Sequence, residues 1–311
     1  MNFWRNVVIY QLENKYSFAI FEEKQKNISV TRLDGVKGFS VSKTFDCGQS
    51  FRFEPVIGSA HEEEFAGVAL GRFFSVARDG ETVYIYNCDK AFFEDKLCAY
   101  LGLDMDYEEI REDIITRCGT PYMRDAAEKG DGIRILAQEK WEALCSFIIS
   151  QNNNIPRIKK IIRALSEKCG EAVAVSGMEP HGACSAEFAF PSPSAVMSLG
   201  VEGLRELRVG FRASYIFDAA KKVVEGEIDL DSVALLPTDE CLSELCKIKG
   251  VGFKVASCTA LFGMGKYDSF PIDVWIRRVL AEKFPPDFDP LTLGRYAGIA
   301  QQYMFYAARF D

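Results

Sequence analysis

The spacing of apolar residues changes about a third of the way along the chain. Between residues 27 and about 90, the runs ISVTRL, GFSVSKTF, GVALGRFFSVAR and TVYIYNC alternate apolar with polar positions and are separated by turns rich in Gly, Asp and Lys. That alternation predicts an antiparallel sheet. From Ala91 onward the period becomes helical, as in KAFFEDKLCAYLGL and KWEALCSFIISQ, which puts a domain junction between residues 90 and 120. We divide the chain into an N-terminal sheet domain, 1–115, and a helical body, 116–311. Residues 170–193, rich in Gly, Ala, Ser and Pro, predict an exposed loop between two helices. Neither an internal repeat nor a low-complexity tract is present. The predicted class is α+β.

The most informative stretch runs from Cys241 to Val279. Thr238 is placed to cap a first helix, with Leu242, Leu245 and Cys246 recurring on one side. Gly250 and Gly252 flank Val251, which suits a hairpin needing positive φ or a close approach of backbone. A second helix starts near Lys254, and Pro271 precedes a third that begins near Asp273. The hairpin unit therefore spans about 239–265. Lys254 falls in the first turn of its helix, where the positive end of the helix dipole disfavours an ammonium. Partial desolvation would add to that effect and enrich the neutral, nucleophilic amine. Asp273 follows Phe270, Pro271 and Ile272, apolar neighbours expected to bury it. Taken singly, each residue is as well read as a solvated lysine and a helix cap.

Composition narrows the class. With 311 residues, 48% hydrophobic and 26% charged, the chain has the make-up of a soluble globular protein with two cores. Its first 25 residues are interrupted by Arg5, Glu13 and Lys15, so they read as neither signal peptide nor membrane span, and the expected location is cytoplasmic, with the nucleoid if bacterial. The 10 cysteines show no C-x-x-C spacing, and free thiols are expected rather than disulfides or zinc. With only 2 histidines, histidine triads and histidine metal centres are disfavoured. The net charge of −8 would weaken phosphate binding by lysines and arginines. Helix N-termini and hairpin amides, however, bind phosphate with few basic side chains.

At GVGFK, 250–254, and PIDV, 271–274, the chain resembles the helix-hairpin-helix DNA glycosylases related to endonuclease III. Four further stretches narrow the resemblance to the 8-oxoguanine DNA glycosylases: DCGQSFRF (46–53), SQNNNIPRI (150–158), VGFRASYI (209–216) and YAGIAQQYMF (296–305). It extends from about residue 28 to the end. The resemblance implies a TBP-like antiparallel sheet domain packed on an all-α helix-hairpin-helix body. It implies a bifunctional enzyme acting as a monomer on double-stranded DNA that contains oxidised guanine, excising the base opposite cytosine and then nicking the strand by β-elimination. No cofactor would be required. Relatives with an iron–sulfur cluster carry four cysteines beyond the aspartate, whereas none follows Cys258 here, so no cluster is expected.

The resemblance also assigns roles. Lys254 would attack C1′ and Asp273 would stabilise positive charge on the sugar. The Gly48 carbonyl would accept the N7 hydrogen that distinguishes 8-oxoguanine from guanine, and repel guanine's N7 lone pair. Gln301 and Phe305 lie four apart, on one face of a helix, where an amide and a ring can pair with and stack on an extruded purine. By spacing alone, core packing explains that aromatic equally well. Cys258 would cover the base's other face. Asn152, Arg157 and Arg212 would meet the orphaned cytosine, with Phe211 as a wedge in the stack. The carbonyls of Cys246, Ile248 and Val251 match a main-chain cation site in relatives, with no side-chain metal ligand. Trp275 stands where the animal enzymes have histidine, which leaves a phosphate contact there open. Two other readings remain: a glycosylase for another damaged base, and a non-catalytic helix-hairpin-helix module that binds DNA.

Overall fold

Adjacent phenylalanines at 73 and 74 cannot both face one side of a strand, so the sheet that contains them must be covered on both faces. The computed structural model, which describes residues 7–11, 17–25, 28–184 and 186–310, shows how this is done. Seven antiparallel strands, β1 (Val7–Gln11), β2 (Ser17–Gln25), β3 (Ile28–Asp34), β4 (Phe53–Pro55), β5 (Glu63–Ala69), β6 (Arg72–Asp79) and β7 (Thr82–Tyr86), lie in the order β1-β2-β3-β7-β6-β5-β4. On one face Leu33, Phe65, Phe74, Val76, Val83 and Ile85 pack with Phe45, Phe93 and Leu97. The opposite face presents Ile28, Val30, Ala66, Val68, Phe73, Ala77 and Tyr86, and Met178 closes over it.

Several expectations are corrected here. GFSVSKTF is not a strand: Ser40 caps a short helix, Val41–Phe45, because its hydroxyl accepts the Lys43 N–H. Residues 170–193 are not a simple exposed loop. Most of that stretch, Glu171–Phe190, belongs to the compact unit built on the sheet, together with the chain up to Glu108 and Asp131–Leu136. One cut at residue 115 therefore does not describe the units. The first 25 residues, whose role could not be read from the sequence, contribute β1 and β2 to the sheet edge.

Buried polar groups fix both returning pieces. The guanidinium of Arg134, in Asp131–Leu136, donates to the carbonyls of Lys37 (3.0 Å), Gly38 (3.1 Å) and Gly102 (2.5 Å) and lies over the Tyr107 ring. In the other piece, His181 stacks on Tyr86 with ring centroids 3.8 Å apart, and its Nδ1 lies 2.8 Å from Glu64 Oε1. Glu64 also accepts from Ser59 and Ser75. The second unit comprises Glu109–Gly130, Ala137–Gly170 and Pro191–Asp311 and is helical. Among the described residues, no helix is long and apolar enough to cross a membrane.

Burial raises the Glu64 pKa, but hydrogen bonds from His181, Ser59 and Ser75 and the His181 charge outweigh it, leaving the carboxyl below its ordinary value of 4.5. A depressed folded-state pKa means that its stabilisation is complete above the ordinary value and is lost as pH falls through the folded one. Glu64→Gln is therefore expected to lower stability by about 1–3 kcal/mol at neutral pH. The Tm gap to wild type should close in acid below that range, and thermal melts of both proteins from pH 7 down to about 3 check it.

Candidate active site

The hairpin is built by exclusion of side-chain atoms. Gly250 has φ +76°, and a Cβ there would enter the ring of Tyr215. Tyr215 lies on the helix Ala213–Val224, and Asp218, one turn on, accepts the Lys249 N–H at 2.8 Å. That helix thus holds the hairpin at two points. The first hairpin helix is Thr238–Leu245. Thr238 does not cap it: Pro237 holds the cap position, and the threonine hydroxyl donates to the Asp268 carboxylate at 2.7 and 2.8 Å. Cys246 is exposed, and Cys241 completes the buried side with Leu242 and Leu245.

The second hairpin helix, Phe253–Met264, begins after Gly252, and no side chain caps it. Its first-turn N–H groups therefore remain available as donors. Lys254 is the second residue of this turn and is half-buried. Its ammonium lies 5.5 Å from the centroid of Phe147, and Cys258, one turn on along the helix, is buried. Burial raises the Cys258 pKa, the Lys254 charge and hydrogen bond oppose that rise, and the charge of Asp273 adds to it.

Asp273 caps the helix Val274–Lys283, its Oδ1 accepting the Ile276 N–H at 2.8 Å. It is half-buried rather than enclosed, because Val274 is 74% exposed and Ile272 also faces outward. The cap engages one carboxylate oxygen, and Asp273 and Lys254 are not joined by an ion pair among the described residues. Phe253, 66% exposed, and Trp275 present apolar surface at the same two helix starts. The Arg278 guanidinium lies 5.5 Å from the Trp275 ring.

On the helix Ala297–Phe310, Gln301 is only 5% exposed, yet its Oε1 has no hydrogen-bond partner. A buried orphan acceptor is costly unless a donor arrives, and a ligand can supply one. Phe305, one turn on, is half-buried.

The asparagine run forms the turn between the helices Lys140–Ser150 and Ile155–Cys169. Asn152 takes φ +47°, Asn153 donates to the Ile149 carbonyl, and Asn154 caps the next helix through the Arg157 N–H. Asn152 and Arg157 are exposed; the Arg157 guanidinium reaches the Arg208 carbonyl at 3.4 Å. Arg212 differs from the expectation of an orphan-base donor. It is buried, and four of its five N–H groups donate to main-chain carbonyls, those of Gln151 (twice), Asn152 and Val209. Burial first, then the like charge of Arg157, lowers its pKa. Phe211 is 54% exposed and meets Tyr215 edge-on at 5.8 Å.

Gly48 lies in the sheet-bearing unit with φ +80°. The amide of the following Gln49 fixes this turn by donating to the carbonyls of Thr44 and Arg134 and accepting the Leu136 N–H. In the hairpin, the Ile248 carbonyl already accepts the Val251 N–H at 3.0 Å, which leaves its second lone pair for any cation. No group of three or more His, Cys, Asp or Glu among the described residues is placed to hold a metal ion, and all 10 cysteines are free thiols.

Known proteins resemble this chain over most of its length. Residues 33–144 match the N-terminal domain of 8-oxoguanine DNA glycosylase, and 145–287 match the HhH-GPD superfamily of base excision DNA repair proteins. The 8-oxoguanine glycosylase/lyase of Clostridium acetobutylicum, solved with duplex DNA carrying cytosine opposite 8-oxoguanine, superposes with a TM-score of 0.82 at 34% identity. That match covers 94% of this chain and 97% of that one. The chain belongs to the 8-oxoguanine DNA glycosylase family. The N-glycosylase/DNA lyase of Saccharomyces cerevisiae is 32% identical over 195 residues, 59% of this chain and about half, 49%, of its own length. The OGG1 N-glycosylase/DNA lyase of Arabidopsis thaliana is 27% identical, with 85% of this chain and 76% of that protein covered. Phe147, Tyr215 and Asp218 had no signal in the sequence, since each reads as an ordinary helix residue.

Gly250→Ala combines strained backbone with a clash against Tyr215. We expect a loss of roughly 2 kcal/mol or more, the left-handed conformation alone costing about 1–2. Duplex binding should weaken with it, whereas Gly252→Ala, which meets no atom within 4 Å and has no positive φ, should be tolerated far better. Chemical denaturation and fluorescence anisotropy on both variants measure the difference.

Proposed function

We propose that this protein excises 8-oxoguanine from duplex DNA, preferentially opposite cytosine, and then nicks the strand by β-elimination. The observation that carries this reading is the half-buried Lys254 in the uncapped first turn of the second hairpin helix, in a chain of this glycosylase family. Lys254, as the free amine, attacks C1′; the C1′–N9 bond breaks and its electron pair leaves with the base. The amine loses a proton, the sugar opens to an imine, and loss of a C2′ proton expels the 3′ phosphate. Asp273 stabilises the positive charge that develops on the sugar.

The extruded base is held by Gln301, whose buried orphan oxygen accepts an N–H from its Watson–Crick edge, and lies between Phe305 and Cys258. Gly48 supplies the carbonyl that accepts the lesion's N7 hydrogen. Main-chain amides at the uncapped helix start bind phosphate. This offsets the net charge of −8. A cation against the carbonyls of Cys246, Ile248 and Val251 would serve the same phosphate.

At the vacated position Arg157 is the reader. Its guanidinium is exposed, while Arg212 holds the Gln151–Asn152 backbone that shapes the turn. Phe211 enters the stack, and Asn152 adds a second polar contact.

Borohydride should trap a covalent adduct between wild-type protein and 8-oxoguanine duplex, and Lys254→Gln should bind that duplex without forming one. Persistent trapping by the variant would move the nucleophile elsewhere. For Asp273→Asn, asparagine caps a helix about as well as aspartate, so stability should change by less than about 1 kcal/mol. Single-turnover excision should nevertheless fall by on the order of a hundredfold; parallel loss of Tm and rate would reduce Asp273 to a cap.

Opposite-base preference should rest on Arg157. Wild type should favour cytosine by about tenfold or more over adenine, consistent with roughly 1–3 kcal/mol for a well-formed pairing. Arg157→Met should relax that ratio and leave excision opposite cytosine largely intact, as a panel of four opposite bases would show.

A further inference from the structure

Lys254 lies against an aromatic ring from a neighbouring helix. Lys254, Cys258 and Phe262 recur every fourth residue and line one face of their helix. The helix Lys140–Ser150 crosses very close to this helix: a Cβ on Gly263 would stand 2.8 Å from that of Ala143. The closeness lays the buried Phe147 ring on the stripe, stacked on Phe262 with centroids 5.3 Å and planes 22° apart. Its face meets the Lys254 ammonium at 5.5 Å. The ring lies against the amine, while the residues before Lys254, Gly252 and Phe253, are exposed. A lysine in an exposed first turn has many rotamers open to solvent, and an aromatic face is what a cation prefers to solvent-facing alternatives.

We propose that Phe147 is a positioning residue for the excision reaction: the π face of its ring, not merely its bulk, holds the Lys254 side chain in place at the start of its helix. This rests on the reading of Lys254 as nucleophile. In this arrangement Phe147 acts through the lysine. The gain is geometric, because a side chain confined near the reacting carbon starts closer to the attack conformation.

The test uses full-length protein and an 8-oxoguanine:cytosine duplex, reading single-turnover trapping rate, duplex Kd and Tm. Phe147→Leu should slow trapping about tenfold with Kd changed less than twofold, and Phe147→Tyr, which keeps the π face, should recover most of the rate. Replacing Phe147 by mono-, di- and trifluorophenylalanine keeps the shape and weakens the ring's negative face. Trapping should then fall stepwise while Tm stays near wild type. A flat fluorination series would reduce the ring to a packing element, and a rate that rises with fluorination would mean the ring restrains the lysine; either overturns the proposal. Absence of any adduct with wild type would instead remove the nucleophile reading itself.

Discussion

One ring, that of Tyr215, joins the two parts of the helical unit that matter for chemistry. Gly250 packs against it so closely that no Cβ fits, and Phe211 meets its edge at 5.8 Å. The hairpin and the Val209–Arg212 turn are therefore set by the same side chain. Asp218 adds a hydrogen bond to the Lys249 amide, so one helix fixes the hairpin's position and its direction. The exit direction of the hairpin decides where the next helix starts, and so where Lys254 stands. Arg212 extends the same support, because its carbonyl contacts tie the Gln151–Asn152 turn to this helix start.

Lys254 and Asp273 each stand at a helix N-terminus. One is capped by a carboxylate and the other is open. Partial positive charge at such ends favours anions. An aspartate is stabilised there, a phosphate finds amide donors, and an ammonium is disfavoured. The lysine is retained through contacts that tolerate a cation, a thiol and an aromatic face. Exposed Phe253, Val274 and Trp275 put apolar surface at these helix starts, beside the exposed Arg277 and Arg278.

The sheet-bearing unit follows a different logic. Both sheet faces are apolar, so each needs a cover, and the chain supplies one cover from far along the sequence. Met178 and His181 close one face, and Glu64, buried at the centre of that contact, receives the histidine. Both histidines of the chain meet at Tyr86, His61 through a 2.7 Å hydrogen bond and His181 through stacking. They form structural contacts in this unit rather than members of a catalytic centre.

What the sequence determined by itself was local. Alternation marked four of the strands, and glycine and proline marked the hairpin and the third helix. These features depend on period and on backbone constraints within a few residues. GFSVSKTF misled because a serine cap outweighed an alternating pattern only five residues deep. Tertiary structure alone decided which distant pieces share a core, since nothing local in GIRIL or in residues 171–190 says that Arg134 or Met178 will be buried in the sheet unit. It also decided that Arg212 would face carbonyls while Arg157 remained exposed. Two arginines are alike in sequence; only the folded backbone determines which finds three carbonyl acceptors within reach and which stays exposed.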